Sequence, residues 1–400
     1  MHIVYSLEEP PESFSKSLFL AGPTPRSTKV ESWRPQALEL LEKRRNYDGI
    51  VFVPEERPGN KNKVIPENGY PEWEHYAMGM SDLVLFWVPR DLSLIPSDAN
   101  ADILLPKMPA LTTNVEYGLM AHSGKSLFGP IHGDKNEYLR FIADKFHIPQ
   151  SYTLEGMLNK AVFEILGDGA SRTGGEREVP LFIWRHRAFQ NWHQAHKNAG
   201  NRLDGAQVQW LSRVRNKPEA IFAFAIRPNI YITNEDRNKI NDPVLFRLDI
   251  SSVILYKKRS DPLDSEIVLV REFRSAVSNA DCFIWELPGG SSPFITDPLK
   301  VAIEETREEV GLELEPDRLK YIGSRQMVGT FASYKSYAYA TELTDDELEW
   351  LKSQKGIPHG ADYPDNPTGE QAYTEVVKLR DIMHNDLVDF ANVGMIRLVL

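Results

Sequence analysis

The sequence of 400 residues holds a single cysteine, Cys282, so no disulfide can form within the chain. Stability must come from packed cores, and a reducing cytoplasm is the expected setting. No apolar run approaches 18 residues, which leaves no candidate transmembrane helix. The N-terminus, MHIVYSLEEPPESF, lacks a basic stretch followed by an apolar one, so no secretory signal is read there. Positive charge is also scarce: 46 Lys and Arg against 57 Asp and Glu give a net charge of −11. That balance argues against a nucleic-acid partner, which needs a basic footprint, and no membrane partner is expected. It leaves nucleotide substrates open, because a metal ion can supply the missing positive charge. The remainder, 42% hydrophobic and 26% charged, is that of an ordinary soluble globular chain long enough for two or three domains.

What is present is densest in chemistry at 286–312, ELPGGSSPFITDPLKVAIEETREEVGL. Glu305, Glu308 and Glu309 stand at i, i+3 and i+4 and share one face of an expected helix. Like charges so placed repel unless a cation sits among them, and hard oxygen donors suit Mg²⁺ or Mn²⁺. An ion held there would neutralise a diphosphate and activate water. The bland alternative is a solvated acidic helix face. The order of elements favours the ion: a strand-like IVLVREF (267–273), the ELPGG turn, then a helix closing at Gly311.

The first third alternates buried-strand runs with helical patterns. SLFLAG (17–22), GIVFVP (49–54), DLVLFWVP (82–89) and KSLFGP (125–130) read as strands, with helices expected at 31–45, 72–80, 115–123 and 136–146. This is an α/β pattern with a parallel sheet covered on both faces, whose ligands bind beyond the carboxyl ends of the strands. GDGASRTGGERE (167–178) reads as a linker, and the aromatic-rich 179–210 as a connecting or domain-packing segment. From about 218 the chain turns strand-rich, and a mixed sheet is expected. The expected division is 1–166, a connection over 167–217, and 218–400. The stretches 57–69 and 91–109 read as loops, the first a candidate lid.

The stretch from Gly290 to Leu312 resembles the Nudix box of hydrolases that cut nucleoside diphosphates linked to another group. Gly290, Glu305, Glu308, Glu309, Gly311 and Leu312 match it. Thr296 and Glu304 stand where the box has Glu and Arg, a pair that supports the loop and helix in that family. REFR (271–274) ahead of WELPGG (285–290) resembles the ADP-ribose pyrophosphatase branch. The resemblance covers roughly 218–400 and implies an α+β domain with a mixed sheet. It also implies Glu305, Glu308, Glu309 and the carbonyl of Gly289 as metal ligands, with Glu308 in a catalytic role. Arg274 would contact substrate, and Glu370 would complete catalysis, with Glu375 as the alternative.

At the other end stand FLAGPTPR (19–26), SWR (32–34), WEHYAMGMSD (73–82) and TTNVEYGLM (112–120). These look like the nucleoside 2-deoxyribosyltransferase-like family over roughly 15–165. The resemblance implies a flavodoxin-like or Rossmann-like parallel sheet, and cleavage of an N-glycosidic bond with transfer to another base or to water. Glu116 matches the nucleophile. Glu74 stands where other members carry an acidic Asp, and PALTTN lacks a further Asp of the better-known transferases. The chemistry needs such a pair: one carboxylate attacks C1′, and a second carboxyl of raised pKa protonates the leaving base. The Gly22-Pro23 turn, Arg34 and Asn114 are the substrate-binding candidates, with Arg26 an alternative phosphate ligand. Trp33, Trp73 and Trp87 could stack on a base, but core packing is the commoner use of tryptophan. Self-association is implied by the family resemblance alone.

Together these resemblances suggest a bifunctional nucleotide-processing enzyme acting on small nucleoside or nucleotide substrates. One part would cleave a glycosidic bond, and the other a diphosphate such as ADP-ribose. Fusion is consistent with related substrates, because a tether raises effective concentration. Two alternatives stay open: a glycosidase regulated by a catalytically weak nucleotide-sensing second domain, and a non-enzymatic interaction protein built on both folds.

Overall fold

The structure, a computed structural model, describes all residues except 60–66, 134, 215–216, 241, 361–370, 385 and 387. Two compact units divide the chain at Met1–Leu245 and Phe246–Leu400.

In the first unit, short apolar runs become β1 (His2–Tyr5), β2 (Ser17–Ala21), β3 (Ile50–Val53) and β4 (Leu83–Trp87). Helices α1 (Arg34–Arg45) and α2 (Gly69–Met80) lie between them in sequence. A hairpin of β5 (Asp91–Pro96) and β6 (Leu104–Met108) follows, then α3 (Leu111–Met120), β7 (Ser126–Gly129) and α4 (Glu137–Lys145). The five-stranded sheet runs β1-β3-β2-β4-β7, and each neighbouring pair is parallel. Alternation along each strand splits the core into two layers. Phe19, Phe52, Phe86 and Phe128 face Trp73 and Tyr117. Leu18, Val51, Leu85 and Leu127 face Leu41, Met157 and Leu158. The chain steps from β2 to β3 on one side and then crosses to β4 on the other. That reversal opens a crevice at the carboxyl ends of β2 and β4.

The stretch 91–109, read as a loop, is the β5–β6 hairpin over most of its length. Its pattern is hard to see because Leu94 and Leu104 point outward at 59% and 55% exposure. Of the expected lid loop, 60–66 lies outside the described residues. The glycine-rich 167–178 is tied down: Arg172 is fully buried and pairs both its terminal nitrogens with Asp82 at 2.6 Å, while Ser13–Phe14 pairs with Arg172–Thr173. In the aromatic segment Phe189 stacks on His193 with centroids 5.7 Å apart, inside α5 (Arg187–Asn198) and its neighbours. Strands begin at 202 rather than 218, with β8 (Arg202–Val214) antiparallel to β9 (Lys217–Ile232) through several register shifts.

The second unit holds a mixed sheet. Its strands β10 (Ile250–Lys257) and β11 (Glu266–Phe273) are antiparallel, and β12 (Phe283–Glu286) pairs with β11. Helix α6 (Pro298–Val310) leads to β13 (Lys320–Gln326), β14 (Lys335–Glu342) and β15 (Ala372–Lys378). The parallel pair is β10 with β14. Asp297 caps α6 by accepting from Leu299 N, and Gly311 ends it at φ 72° in the left-handed region. Ala302 and Val310 of α6 pack on Val253 and Leu255 of β10. The chain is thus α/β, with a parallel sheet in one unit and a mixed sheet in the other.

Candidate functional site

A cavity of ≈ 160 Å³ lies in the first unit at the carboxyl end of β2. Gly22, Pro23 and Thr24 leave the strand and line it, together with Pro54 after β3. Helix α2 contributes Glu74, and α3 contributes its first turn and Glu116. Gly22 is required by close approach: a Cβ there would collide with the Trp87 carbonyl oxygen and the Trp33 ring.

Glu74 and Glu116 hydrogen-bond to each other across the cavity. Burial pushes the Glu116 carboxyl up to about 7, and the charge of Glu74 and the hydrogen bond with it add to the rise. The Glu74 carboxyl is also raised, by burial, while its bond to Glu116 and the charge of Arg34 hold it down. Below about pH 7 the pair therefore holds a proton, on Glu116 first.

Arg34 lines the same cavity but is 1% exposed, and most of its donors are committed. Nε donates to Leu20 O at 2.9 Å, Nη2 to Gly22 O at 2.7 Å, and Nη1 to Glu55 Oε1 at 2.6 Å and Thr24 Oγ1 at 3.2 Å. This arrangement clamps the Gly22 turn and lends positive charge to the carboxyl pair. Arg26, also on the cavity wall, is exposed and makes no side-chain hydrogen bond or ion pair with the described residues. Asn114 does not line the cavity. Its Oδ1 accepts from Arg90 Nη2 at 2.8 Å, and Arg90 Nη1 donates to Pro109 O at 2.8 Å, which anchors the entry to α3. The tryptophans are packing residues: Trp73 donates Nε1 to Glu8 O at 2.9 Å beside Phe19 and Phe52, and Trp33 lies under the Arg34 guanidinium. None of Trp33, Trp73 and Trp87 lines the cavity.

Sequence reading missed Glu55 and Arg90, the partners that fix Arg34 and Asn114. Both follow directly on strand ends, in VFVPEE and LFWVPR, where polar residues of a parallel sheet gather around its crevice.

In the second unit, α6 carries its acidic face beside the Gly289–Gly290 turn. Glu309 is 4% exposed and accepts from Gly289 N at 2.8 Å. A methyl group at Gly290 would collide with the Glu305 carboxylate. Glu308 lies 3.5 Å from Arg307 Nη2. The oxygen donors suit a divalent cation in kind, and the bare Cα of Gly290 leaves room beside Glu305. Yet no group of three or more His, Cys, Asp or Glu converges as a metal site among the described residues, so the expected trio is not assembled. The Gly289 amide is bound to Glu309, next to the carbonyl to which the resemblance gives a metal-holding role. Arg274 is held by two carboxylates, Glu272 Oε2 at 2.8 Å and Glu286 Oε2 at 2.9 Å. Glu370 lies outside the described residues. Glu375 is on β15, 3.3 Å from Lys355 Nζ.

No helix among the described residues is long and apolar enough to cross a membrane. No family model matches the sequence. No curated protein matches it either. Among solved structures, one described as an ADP compounds hydrolase is similar with a TM-score of 0.34 and 15% identity, over 50% of this chain and 91% of that one. At that level the likeness decides neither fold nor function.

Proposed function

We propose that the first unit, of flavodoxin-like or Rossmann-like class and similar to nucleoside 2-deoxyribosyltransferases, cleaves an N-glycosidic bond. In this reading the second, Nudix-like unit hydrolyses a nucleoside diphosphate derivative such as ADP-ribose. The observation that carries the reading is the hydrogen-bonded Glu74–Glu116 pair in a cavity at the carboxyl ends of the strands. An isolated structural carboxylate has no need of a second one at hydrogen-bond distance, because the two repel once ionised.

The pair also favours one course of reaction. Two carboxyls that hydrogen-bond leave no room for a water between them and the sugar. Inverting glycosidases separate theirs by roughly 6.5–9.5 Å for that purpose. Direct attack by one carboxylate is the alternative. Glu116 passes its proton to Glu74 along their hydrogen bond, and its freed carboxylate forms a bond to C1′. The C1′–N bond breaks, and Glu74 delivers the proton to the departing base. Water or an incoming base then gives a proton back to Glu74 and takes the sugar from Glu116. Arg34 stabilises the ionised form of either carboxyl without touching the sugar. The test is base release: the chain frees a base from a nucleoside or nucleotide, and Glu116→Gln abolishes it. Unchanged release from the variant sinks the reading.

For the second unit, Mg²⁺ or Mn²⁺ would be held by Glu305, Glu308 and Glu309. The ion, when bound, supplies positive charge for a diphosphate and an acidified water. The protein's own part is to hold the Gly289–Gly290 turn against α6 through Glu309. Metal-dependent splitting of ADP-ribose to two monophosphates, lost in Glu309→Gln, tests this. A second reading, nucleotide sensing without turnover, is favoured by the unassembled trio and the double pairing of Arg274. ADP-ribose bound by the full chain but not consumed at saturating Mg²⁺ would select it.

A further inference from the structure

Arg34 is a buried cation on the wall of the cavity that holds the carboxyl pair, and its charge acts on three carboxyls, Glu55, Glu74 and Glu116. Of the three, Glu55 is bound to it. Its Oε1 accepts from Arg34 Nη1 at 2.6 Å and from Ser32 Oγ at 2.7 Å, and Ser32 Oγ in turn accepts from Arg34 N at 3.2 Å. The main-chain carbonyl of Glu55 accepts from Ser6 N at 3.0 Å, which fixes the chain as it leaves β3. Glu55 follows Pro54, which lines the cavity, but does not line it itself. A carboxylate that meets no ligand of the cavity is thus committed to a guanidinium that faces it.

Charge balance shows what that commitment does. The ionisable groups that line the cavity are Arg26, Arg34, Glu74 and Glu116. Arg26 is exposed, so solvent screens it. A buried guanidinium left alone beside two carboxyls favours the ionisation of both. With Glu55 present, Arg34, Glu55 and the pair together carry one net negative charge while the pair holds its proton, and two once that proton is lost. Without Glu55 the same loss runs only from neutral to one negative charge, which costs less in a buried site. Resting on the N-glycosidase reading of this cavity, we infer that Glu55 is a positioning residue for the reaction: by binding Arg34 Nη1 and offsetting its charge, it keeps on the Glu74–Glu116 pair the proton that the departing base requires. Glu55 acts through Arg34 and touches neither the sugar nor the base.

The test reads the proton itself. The full chain and its variants are titrated by infrared difference spectroscopy, following the protonated-carboxyl band that Glu116→Gln lacks. In the parent this band should fade with a midpoint at about pH 7. Glu55→Gln keeps an acceptor for Arg34 and Ser32 and removes only the charge, and the smaller Glu55→Ser removes the charge as well. In both, the midpoint should fall by about one pH unit. Ser32→Ala costs Glu55 a hydrogen bond but leaves its charge, and should not move the midpoint. The alkaline fall of kcat/KM for base release should shift with the band. A midpoint that stays or rises in the Glu55 variants overturns the inference, as does an equal shift in Ser32→Ala, or the absence of any band that Glu116→Gln removes. Base release separates the two claims. Release with an unmoved midpoint keeps the glycosidase and removes the role of Glu55. A lowered midpoint in a chain that releases no base keeps the hold of Glu55 on the proton but removes the glycosidase, and with it the part played in a reaction.

Discussion

Glu116 and Glu74 share a proton, and that sharing makes two separate measurements predictable. Catalysis needs the singly protonated pair, with one carboxylate to attack and one acid to protonate the base. Because the Glu116 carboxyl is pushed up to about 7, kcat/KM for base release should fall as pH rises through about 7. In Glu74→Gln the charge that raises Glu116 is gone and no second carboxyl holds the proton, so any residual activity should rise with pH as Glu116 ionises at lower pH, and the alkaline fall should vanish. An alkaline limb in the same place in both proteins would assign it to another group. Stability follows the same group. A carboxyl whose folded pKa lies above its unfolded 4.5 contributes fully below 4.5, and that contribution is lost as pH climbs to about 7. Glu116→Gln escapes this loss and should be more stable than the parent at pH 8 by about 1–3 kcal/mol, with the gap closing toward pH 5. Thermal melts at the two pH values check it. At this scale the sequence displayed the acidic pair but not the use of its neighbours. Arg34 reads as a ligand for phosphate until Leu20, Gly22 and Glu55 are seen to occupy its donors, and those partners come from three separate stretches of chain.

Among the elements, the parallel strands were legible because burial on both faces forces uninterrupted apolar runs. The β5–β6 hairpin was not, because it is solvent-exposed and carries prolines and charges along both strands. Helix α6 was legible at both ends from Asp297-Pro298 and Gly311, since caps depend on local chemistry alone. The glycine-rich 167–178 shows the limit of composition: its anchoring depends on Asp82, 90 residues away from Arg172. Asp82 accepts from Arg172, Ser17 N and Leu181 N, all in the buried interior. Asp82→Ala should therefore cost about 3–5 kcal/mol by leaving Arg172 buried without its counter-charge. A denaturation midpoint within experimental error of the parent would contradict this. Gly22→Ala acts on the turn itself. Its methyl group displaces either Trp87 or Trp33, and a loss above about 2 kcal/mol is expected together with loss of ligand binding.

At the scale of the whole molecule, the two proposed chemistries differ in what they require. In the proposed function the carboxyl pair of the first unit needs no metal ion, and the acidic face of α6 is assigned to one. Chelation with EDTA should therefore abolish ADP-ribose splitting and leave base release unchanged. Loss of both together would show that the division of labour is mistaken. Each set of candidate residues lies within one stretch of sequence, whereas the compact units divide at Leu245 and Phe246 rather than at the expected 166 and 217. The assembly of the α6 carboxylates was not legible, since spacing places three glutamates on one face but does not make them converge. The central claim rests on the first unit, and the most direct measurement is mass spectrometry of the products after the chain is incubated with nucleosides, nucleoside monophosphates and NAD, beside the Glu116→Gln variant. The account predicts a free base from the parent and none from the variant. Release from neither protein, or equal release from both, would contradict it.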